Sequence, residues 1–225
     1  MDPARIAELL EPFLDSANDQ RLTTNDLHNI STYIDILLRW NARINLTAIR
    51  DPEQIVTRHF GESLFAARHL FPRPSVSSVH SVVKDFDLAD LGSGAGFPGL
   101  PIKLWAPHIS VILIESNHKK ATFLREVARA LTLTDINIQT TRAESLTAHS
   151  FDVVTLRAVE RFDTILPVAA NLLRLAGRLA LLIGARQEDQ ARLTLPSLLW
   201  SKPITIPNSR TRILLLSQPP TPRGT

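Results

Sequence analysis

The chain has 225 residues, 44% of them hydrophobic and 21% charged, with eight glycines and no cysteine. That balance fits one good-sized globular domain, or one with a small extension, and excludes collagen-like, coiled-coil and wholly disordered chains. The absence of cysteine excludes a disulfide framework, a thiolate metal site and a cysteine nucleophile. Net charge is only +3, but 20 of the basic residues are arginine and 5 are lysine. Arginine suits phosphate and base stacking, although charge alone does not name a nucleic-acid partner. The start lacks a basic and apolar leader, and no run reaches the ~18 apolar residues of a span. A cytoplasmic chain with no membrane partner is therefore expected.

In chain order, residues 1–71 read as a helical extension, because apolar positions recur at helical spacing in three stretches. The first carries Ile6, Leu9, Leu10, Phe13 and Leu14, and the second, starting near Thr23 and Thr24, carries Leu27, Ile30, Ile34, Leu37 and Leu38. The third opens with Asp51 as N-cap and Pro52 at the first helical position, then runs Ile55, Val56, His59, Phe60, Ser63, Leu64 and Ala67. A polar bend, Asn41-Ala42-Arg43-Ile44-Asn45-Leu46-Thr47, lies between the last two. Residues 72–84 read as a connector, rich in serine and proline.

From 85 to 217 the pattern changes class. Short β-branched or leucine-rich runs at 86–91, 111–114, 136–139, 151–156 and 178–183 alternate with helical stretches, the signature of parallel βαβ units in a doubly wound α/β sheet. Ile204, Ile206 and the run 213–216 suggest a terminal antiparallel pair, and 218–225 a proline-rich tail.

Four of the eight glycines fall in Asp90-Leu91-Gly92-Ser93-Gly94-Ala95-Gly96-Phe97-Pro98-Gly99, directly after the first of these strands. Glycine is used where backbone approaches a ligand or takes positive φ, and open α/β sheets bind nucleotides at this place. Counted from the strand end, a dinucleotide fingerprint would need its third glycine at position 97, where Phe97 stands. What remains is Asp-x-Gly-x-Gly-x-Gly, the first motif of class I S-adenosylmethionine (SAM) methyltransferases. Glu115 ends the next strand, 23 positions after Gly92, where a carboxylate can take both ribose hydroxyls. Both NAD and SAM would want that acid, so an NAD(P)-dependent oxidoreductase stays open as an alternative. Ala143 and Glu144 follow the third strand, where residues often line the adenine.

These residues resemble the RsmG (GidB) family of bacterial small-subunit rRNA guanine-N7 methyltransferases over nearly the whole chain. The resemblance rests on four stretches: the run from Trp40 to Thr47; Arg58-His59-Phe60-Gly61-Glu62-Ser63-Leu64; the glycine motif through Leu100-Pro101; and Arg157-Ala158 after the fourth strand. It implies a class I, Rossmann-like fold, SAM as cofactor with S-adenosylhomocysteine as product, no metal, and a monomer acting on 16S rRNA of the small ribosomal subunit. Cofactor contacts would fall to Gly92, Ser93, Gly94, Gly96, Phe97, Glu115, Ser116, Ala143, Glu144 and Arg157. Arg157 and Asn45 would serve the transfer itself, and Arg43, Asn45, Lys119, Arg142 and Arg212 the RNA. Each has a plain alternative: Asn45 as a turn cap, Lys119 and Arg142 as solvated surface, Arg212 as decoration of an edge strand. Arg39, Arg50, Arg58, Arg68 and Arg73 add basic charge before the sheet begins, as further candidates for RNA contact.

Two positions depart from the family pattern. Ile183-Gly184 stands where Lys-Gly is usual, leaving Arg186 as the candidate replacement, and Glu62 stands where aspartate is commoner. A chain that keeps the fold and binds SAM or RNA without turnover is thus a further alternative. His59 lies in an apolar stripe, which favours a packed, hydrogen-bonded ring over a catalytic base. Guanine N7 carries no proton, so attack there needs orientation and no general base. Pyrimidine C5 chemistry would need a cysteine, and exocyclic-amine methylation a motif absent from Leu156-Arg157-Ala158-Val159.

Overall fold

The computed structural model describes residues 1–14, 22–72, 86–158 and 161–218. The expected connector beyond residue 72, Arg73, Val159 and the tail beyond Gln218 lie outside them. Helix α1 (Pro3–Leu10) starts on Asp2, whose carboxylate accepts from the Ala4 amide, with Pro3 in the first turn. Helix α2 (Thr24–Asn41) starts in a capping box: Thr23 accepts from the Asp26 amide and Asp26 accepts from the Thr23 amide.

The third expected helix begins as foreseen, with Asp51 accepting from the Gln54 amide ahead of α3 (Pro52–Gln54). It does not continue as a plain α-helix. Ile55–Gly61 is wound as a π-helix before α4 (Glu62–Leu70) resumes. A widened turn of this kind is uncommon and concentrates at functional sites. Gly61 is required within it, because an added Cβ would stand 2.7 Å from the Phe13 ring.

The sheet follows the order β3-β2-β1-β4-β5-β8-β6, with β7 also paired to β8. Strands β1 (Asp87–Leu91), β2 (Ser110–Ile114), β3 (Ile136–Gln139), β4 (Phe151–Arg157) and β5 (Leu173–Gly184) run parallel. The last three, β6 (Leu199–Trp200), β7 (Ile204–Thr205) and β8 (Arg212–Gln218), are antiparallel additions. The terminal pair is thus present, with Ile204 opposite Leu214, and β8 extends one residue past the expected limit at 217. The fifth strand is longer than its apolar run suggested: it starts at Leu173 opposite Phe151, and the ladder shifts before Arg178 pairs Val153.

Helices α5 (Gly99–Trp105), α6 (His118–Ala130), α7 (Phe162–Leu172) and α8 (Glu188–Thr194) complete the layers. One apolar cluster joins Ile6, Leu10, Ile34 and Leu37 of the N-terminal helices to Leu88, Val111, Leu113 and Phe123. The other face of the sheet, through Ala89, Leu91, Val154 and Leu156, packs on Leu166 and Ala169 of α7. The first helices therefore share a core with the sheet. Because β2 and β4 lie on opposite sides of β1, the chain reverses its winding between β1 and β4. Ligands of open α/β sheets bind at the carboxyl ends of strands at such a switch point.

Candidate active site

The glycine loop leaves β1 in a left-handed path: φ is +67° at Gly92, +55° at Gly94 and +86° at Gly96. The amides of Gly92 and Ser93 both donate to the Ile114 carbonyl, which fixes the loop on the end of β2. Its glycines have different reasons to exist. A Cβ at Gly94 would meet nothing closer than the Gly92 oxygen at 3.7 Å, so its free side is open. A Cβ at Gly96 would lie 2.3 Å from the Tyr33 hydroxyl, so Gly96 serves close packing on α2. At Gly99 it would lie 2.8 Å from Asp90 Oδ2, which accepts from the Gly99 amide at 3.2 Å, while Asp90 Oδ1 accepts from Thr155 Oγ1 at 2.8 Å. Buried there, Asp90 is pushed up to about 6 by desolvation, and its hydrogen bonds only partly offset this.

Two cavities open on either side of Gly92. The larger, about 460 Å³, is bounded by Gly92, Glu115, Ser116, Arg142, Ala143 and Glu144. In it the Glu115 carboxylate accepts from the Gly94 amide at 2.9 Å and the Asn117 amide at 2.8 Å. An ionised carboxylate has about four acceptor positions, so two bonds orient it and leave others for hydroxyl donors. The smaller, about 240 Å³, is bounded by Thr47, His59, Gly92, Ser93, Gly94, Phe97, Lys120 and Arg157. Residues from the ends of β1, β2 and β4 and from the N-terminal helices thus meet in one cleft.

Two rings, Phe97 and His59, line the smaller cavity, and others pack behind them. Phe97 stacks on Tyr33 with ring centres 5.3 Å apart and on His59 at 4.8 Å, and Phe60 meets it edge-on at 5.1 Å. The Tyr33 hydroxyl donates to the Ala95 carbonyl at 2.5 Å, so α2 props the glycine loop from beneath. Phe97 therefore fills the space that a third fingerprint glycine would leave for helix packing.

Beside these rings sits a buried charge cluster. Glu62, 1% exposed, receives Arg58 at 3.2 Å, Arg157 at 3.3 Å and Arg212 at 3.0 Å. Arg157 also donates to the Arg58 carbonyl at 2.7 Å and reaches His59 Nδ1 at 2.8 Å. Burial pulls its guanidinium down to about 10, with Glu62 opposing, so it stays charged at neutral pH. The Nε–H groups of Arg157 and Arg212 are buried with no acceptor among the described residues. His59 is held down to about 3, first by burial and then by Arg157, Arg58 and Arg212, so its ring is neutral. It is the packed, hydrogen-bonded histidine its stripe suggested, and it also borders the cavity.

Gly92, Ser93, Gly94, Phe97, Glu115, Ser116, Ala143, Glu144, Arg142 and Arg157 are thus brought together, whereas Gly96 turns into the core. Asn45 is exposed beside the cleft, and the buried Asn41 amide organises the bend: its Oδ1 accepts from Leu46 and Thr47, and its Nδ2 donates to the Thr47 carbonyl. Arg43 and Lys119 line a separate groove of about 360 Å³ with Arg39 and Trp40. Ile183 is buried in the core, and Arg186 stands exposed on the turn Ala185–Gln187 and lines neither cavity. Arg212, opposite Gly184 on β8, is the cation that reaches the cluster. Thr47, Tyr33 and Lys120 were not singled out from the sequence. Only Thr47 and Tyr33 had a signal, a polar residue ending the bend and a lone tyrosine on an apolar helix face. Among the described residues no group of acids and histidines could hold a metal, and no helix is long and apolar enough to cross a membrane.

The fold is that of SAM-dependent methyltransferases. It superposes on a ribosomal protein L11 methylase from Lactobacillus delbrueckii subsp. bulgaricus with a TM-score of 0.55, at 19% identity, covering 72% of this chain and 78% of that one. A SAM-dependent methyltransferase from Aquifex aeolicus gives 0.51 at 13% identity, over 60% of this chain and 84% of its own. Sequence comparison narrows the class. The model of the family described as GidB, rRNA small subunit methyltransferase G, matches residues 26–206. Proteins named ribosomal RNA small subunit methyltransferase G are similar over most of their length. That of Roseiflexus castenholzii is 36% identical over 90% of this chain and 88% of its own, and that of Halorhodospira halophila 42% over 74% of each. The chain belongs to the rRNA small subunit methyltransferase G family.

Proposed function

We propose that this protein transfers a methyl group from SAM to N7 of a guanine in 16S rRNA, acting in the cytoplasm as a monomer on the small ribosomal subunit. The observation that supports this most is the joined cleft at the switch point: an acceptor-only carboxylate on one side of Gly92, and an arginine-bearing aromatic cavity on the other. The residues present fit the cofactor. Glu115 keeps acceptor capacity for two ribose hydroxyls, Ala143 and Glu144 flank the adenine position, and the open side of Gly94 lets backbone approach the methionine part. When bound, SAM supplies a methyl made electrophilic by its sulfonium.

The protein then has to orient and to exclude water. Phe97 and His59 present two rings to the smaller cavity, and Arg157 is held rigidly beside it by Glu62, the Arg58 carbonyl and His59. The His59 ring offers no free base, because its basic nitrogen already accepts from Arg157. That suits attack by an unprotonated lone pair, which releases no proton at the nitrogen. Arg43 and Lys119 in the neighbouring groove, Arg142 beside the larger cavity, and Asn45, Arg186 and Arg212 supply contacts for the RNA backbone. Residues 1–71 act as an extension that props the loop, and 85–217 as the cofactor-binding domain.

The test is transfer of labelled methyl from SAM to small subunits purified from a strain lacking this gene, followed by nucleoside analysis. Labelled 7-methylguanosine in 16S rRNA is expected. SAM binding with no label in subunits or naked rRNA would favour an inactive binding module.

A further inference from the structure

The polarity of one hydroxyl in the smaller cavity is fixed by its neighbours. Arg157 Nη2 lies 2.8 Å from His59 Nδ1, and a guanidinium can only donate, so Nδ1 must accept. A neutral imidazole then carries its hydrogen on Nε2. That atom is 2.8 Å from Thr47 Oγ1, so His59 donates and the Thr47 oxygen accepts. The Ile49 amide donates to the same oxygen at 3.1 Å. Both lone pairs of the hydroxyl are engaged, and its own hydrogen has no acceptor among the described residues, while Thr47 lines the cavity. The backbone of Thr47 is itself clamped by Asn41 through its amide and carbonyl.

We propose that Thr47 is the residue that selects guanine, donating its hydroxyl to O6 beside the N7 that is methylated, with His59 as the positioning residue that makes it an obligate donor. A hydroxyl usually serves as donor or acceptor and so discriminates poorly; this one has no lone pair left. On its N7 edge guanine offers two acceptors, N7 and O6, whereas adenine places an amino donor beside N7. Two donors would then face each other, and adenine is refused although its N7 is available. This inference rests on the guanine-N7 reading and deepens it.

The experiment is a cycle between protein and substrate. Thr47→Val keeps the shape and removes the donor, and Thr47→Ser restores it. The substrates are small subunits assembled with unmodified 16S rRNA, and the same with 2-aminopurine, which lacks O6, at the guanine that accepts label. Thr47→Val should lower kcat/KM on the guanine substrate by about tenfold to a hundredfold, as for loss of one hydrogen bond to a buried group. SAM affinity should be unchanged, and Thr47→Ser should recover to within about threefold of the parent. The parent on 2-aminopurine should fall by a similar factor, and Thr47→Val should lose nothing more there, because both changes remove the same bond. A merely structural role predicts that the two losses multiply, and that result, or an undiminished Thr47→Val, overturns the proposal. Failure of the parent to methylate guanine subunits at all would instead overturn the transfer reading, and this inference with it.

Discussion

Around Glu115 the cleft is assembled from backbone: two amides set one carboxylate, and the loop that supplies the first of them is pinned to the end of β2. Around His59 it is assembled from side chains that arrive from the bend at Thr47, the π-helical segment, the end of β4 and the start of β8. The first half is local, open and built on one acid. The second is long-range, buried and carries three guanidinium groups on one carboxylate. Backbone amides hold their geometry whatever the neighbouring side chains are, so the Glu115 half tolerates change and loses mainly affinity. The His59 half has no such support, and a single change there leaves charge stranded in the protein interior.

The sharpest way to test that contrast is Glu62→Gln. Arg157 is 9% and Arg212 20% exposed, and removing their shared counter-charge leaves two cations largely desolvated, while Arg58 at 49% can turn to water. Breaking a buried pair in this way costs about 3–5 kcal/mol, so the unfolding midpoint in denaturant should drop markedly. A midpoint equal to the parent's would remove the distinction between the halves. Glu115→Gln should do the reverse. Its amide oxygen can still accept from one backbone N–H, so stability should change little. SAM affinity measured by calorimetry should fall about tenfold to a hundredfold, as for loss of charge-assisted bonds to the ribose.

The same contrast explains what the sequence made legible. The parallel sheet followed from short apolar runs alternating with amphipathic stretches, and the cofactor half from glycines clustered at one strand end, since both signals lie within a few tens of residues. The family resemblance added Arg157 and Arg212, and the structure brings both to Glu62. It does not bring Arg186 there, because the strand paired with Gly184 is β8, and that pairing is decided by tertiary packing. The π-helical winding at Ile55–Gly61 was invisible in an otherwise ordinary helical stripe: it accompanies the approach of Phe13 to Gly61, a contact between segments far apart in sequence. Tyr33 and Thr47 were hidden for a like reason. A tyrosine between Ile30 and Ile34 and a threonine ending a bend acquire their roles only when α2 lies under the glycine loop.

The two halves also separate by pH. In the unfolded chain His59 takes up a proton near 6.5, but in the folded protein only at about 3, because of burial first and then Arg157, Arg58 and Arg212. Between those values the unfolded state binds the extra proton, so the stability tied to His59 is complete above pH 6.5 and is lost as pH falls, at up to about 1.4 kcal/mol per pH unit. Asp90 opposes it. Raised by burial from 3.8 to about 6, it holds its proton more tightly when folded, so its contribution is present below 3.8 and fades as pH rises to about 6. Replacing His59 with Gln, which can accept from Arg157 and donate to Thr47 without titrating, should leave only the Asp90 trend. Denaturant unfolding from pH 7 to pH 4 should therefore show the parent falling relative to His59→Gln, which follows the Asp90 trend alone and gains stability over that range. Parallel curves would mean that the ring takes up its proton in the folded protein at the same pH as in the unfolded chain, and the buried half of the cleft would then be wetter than its burial and its arginine partners require.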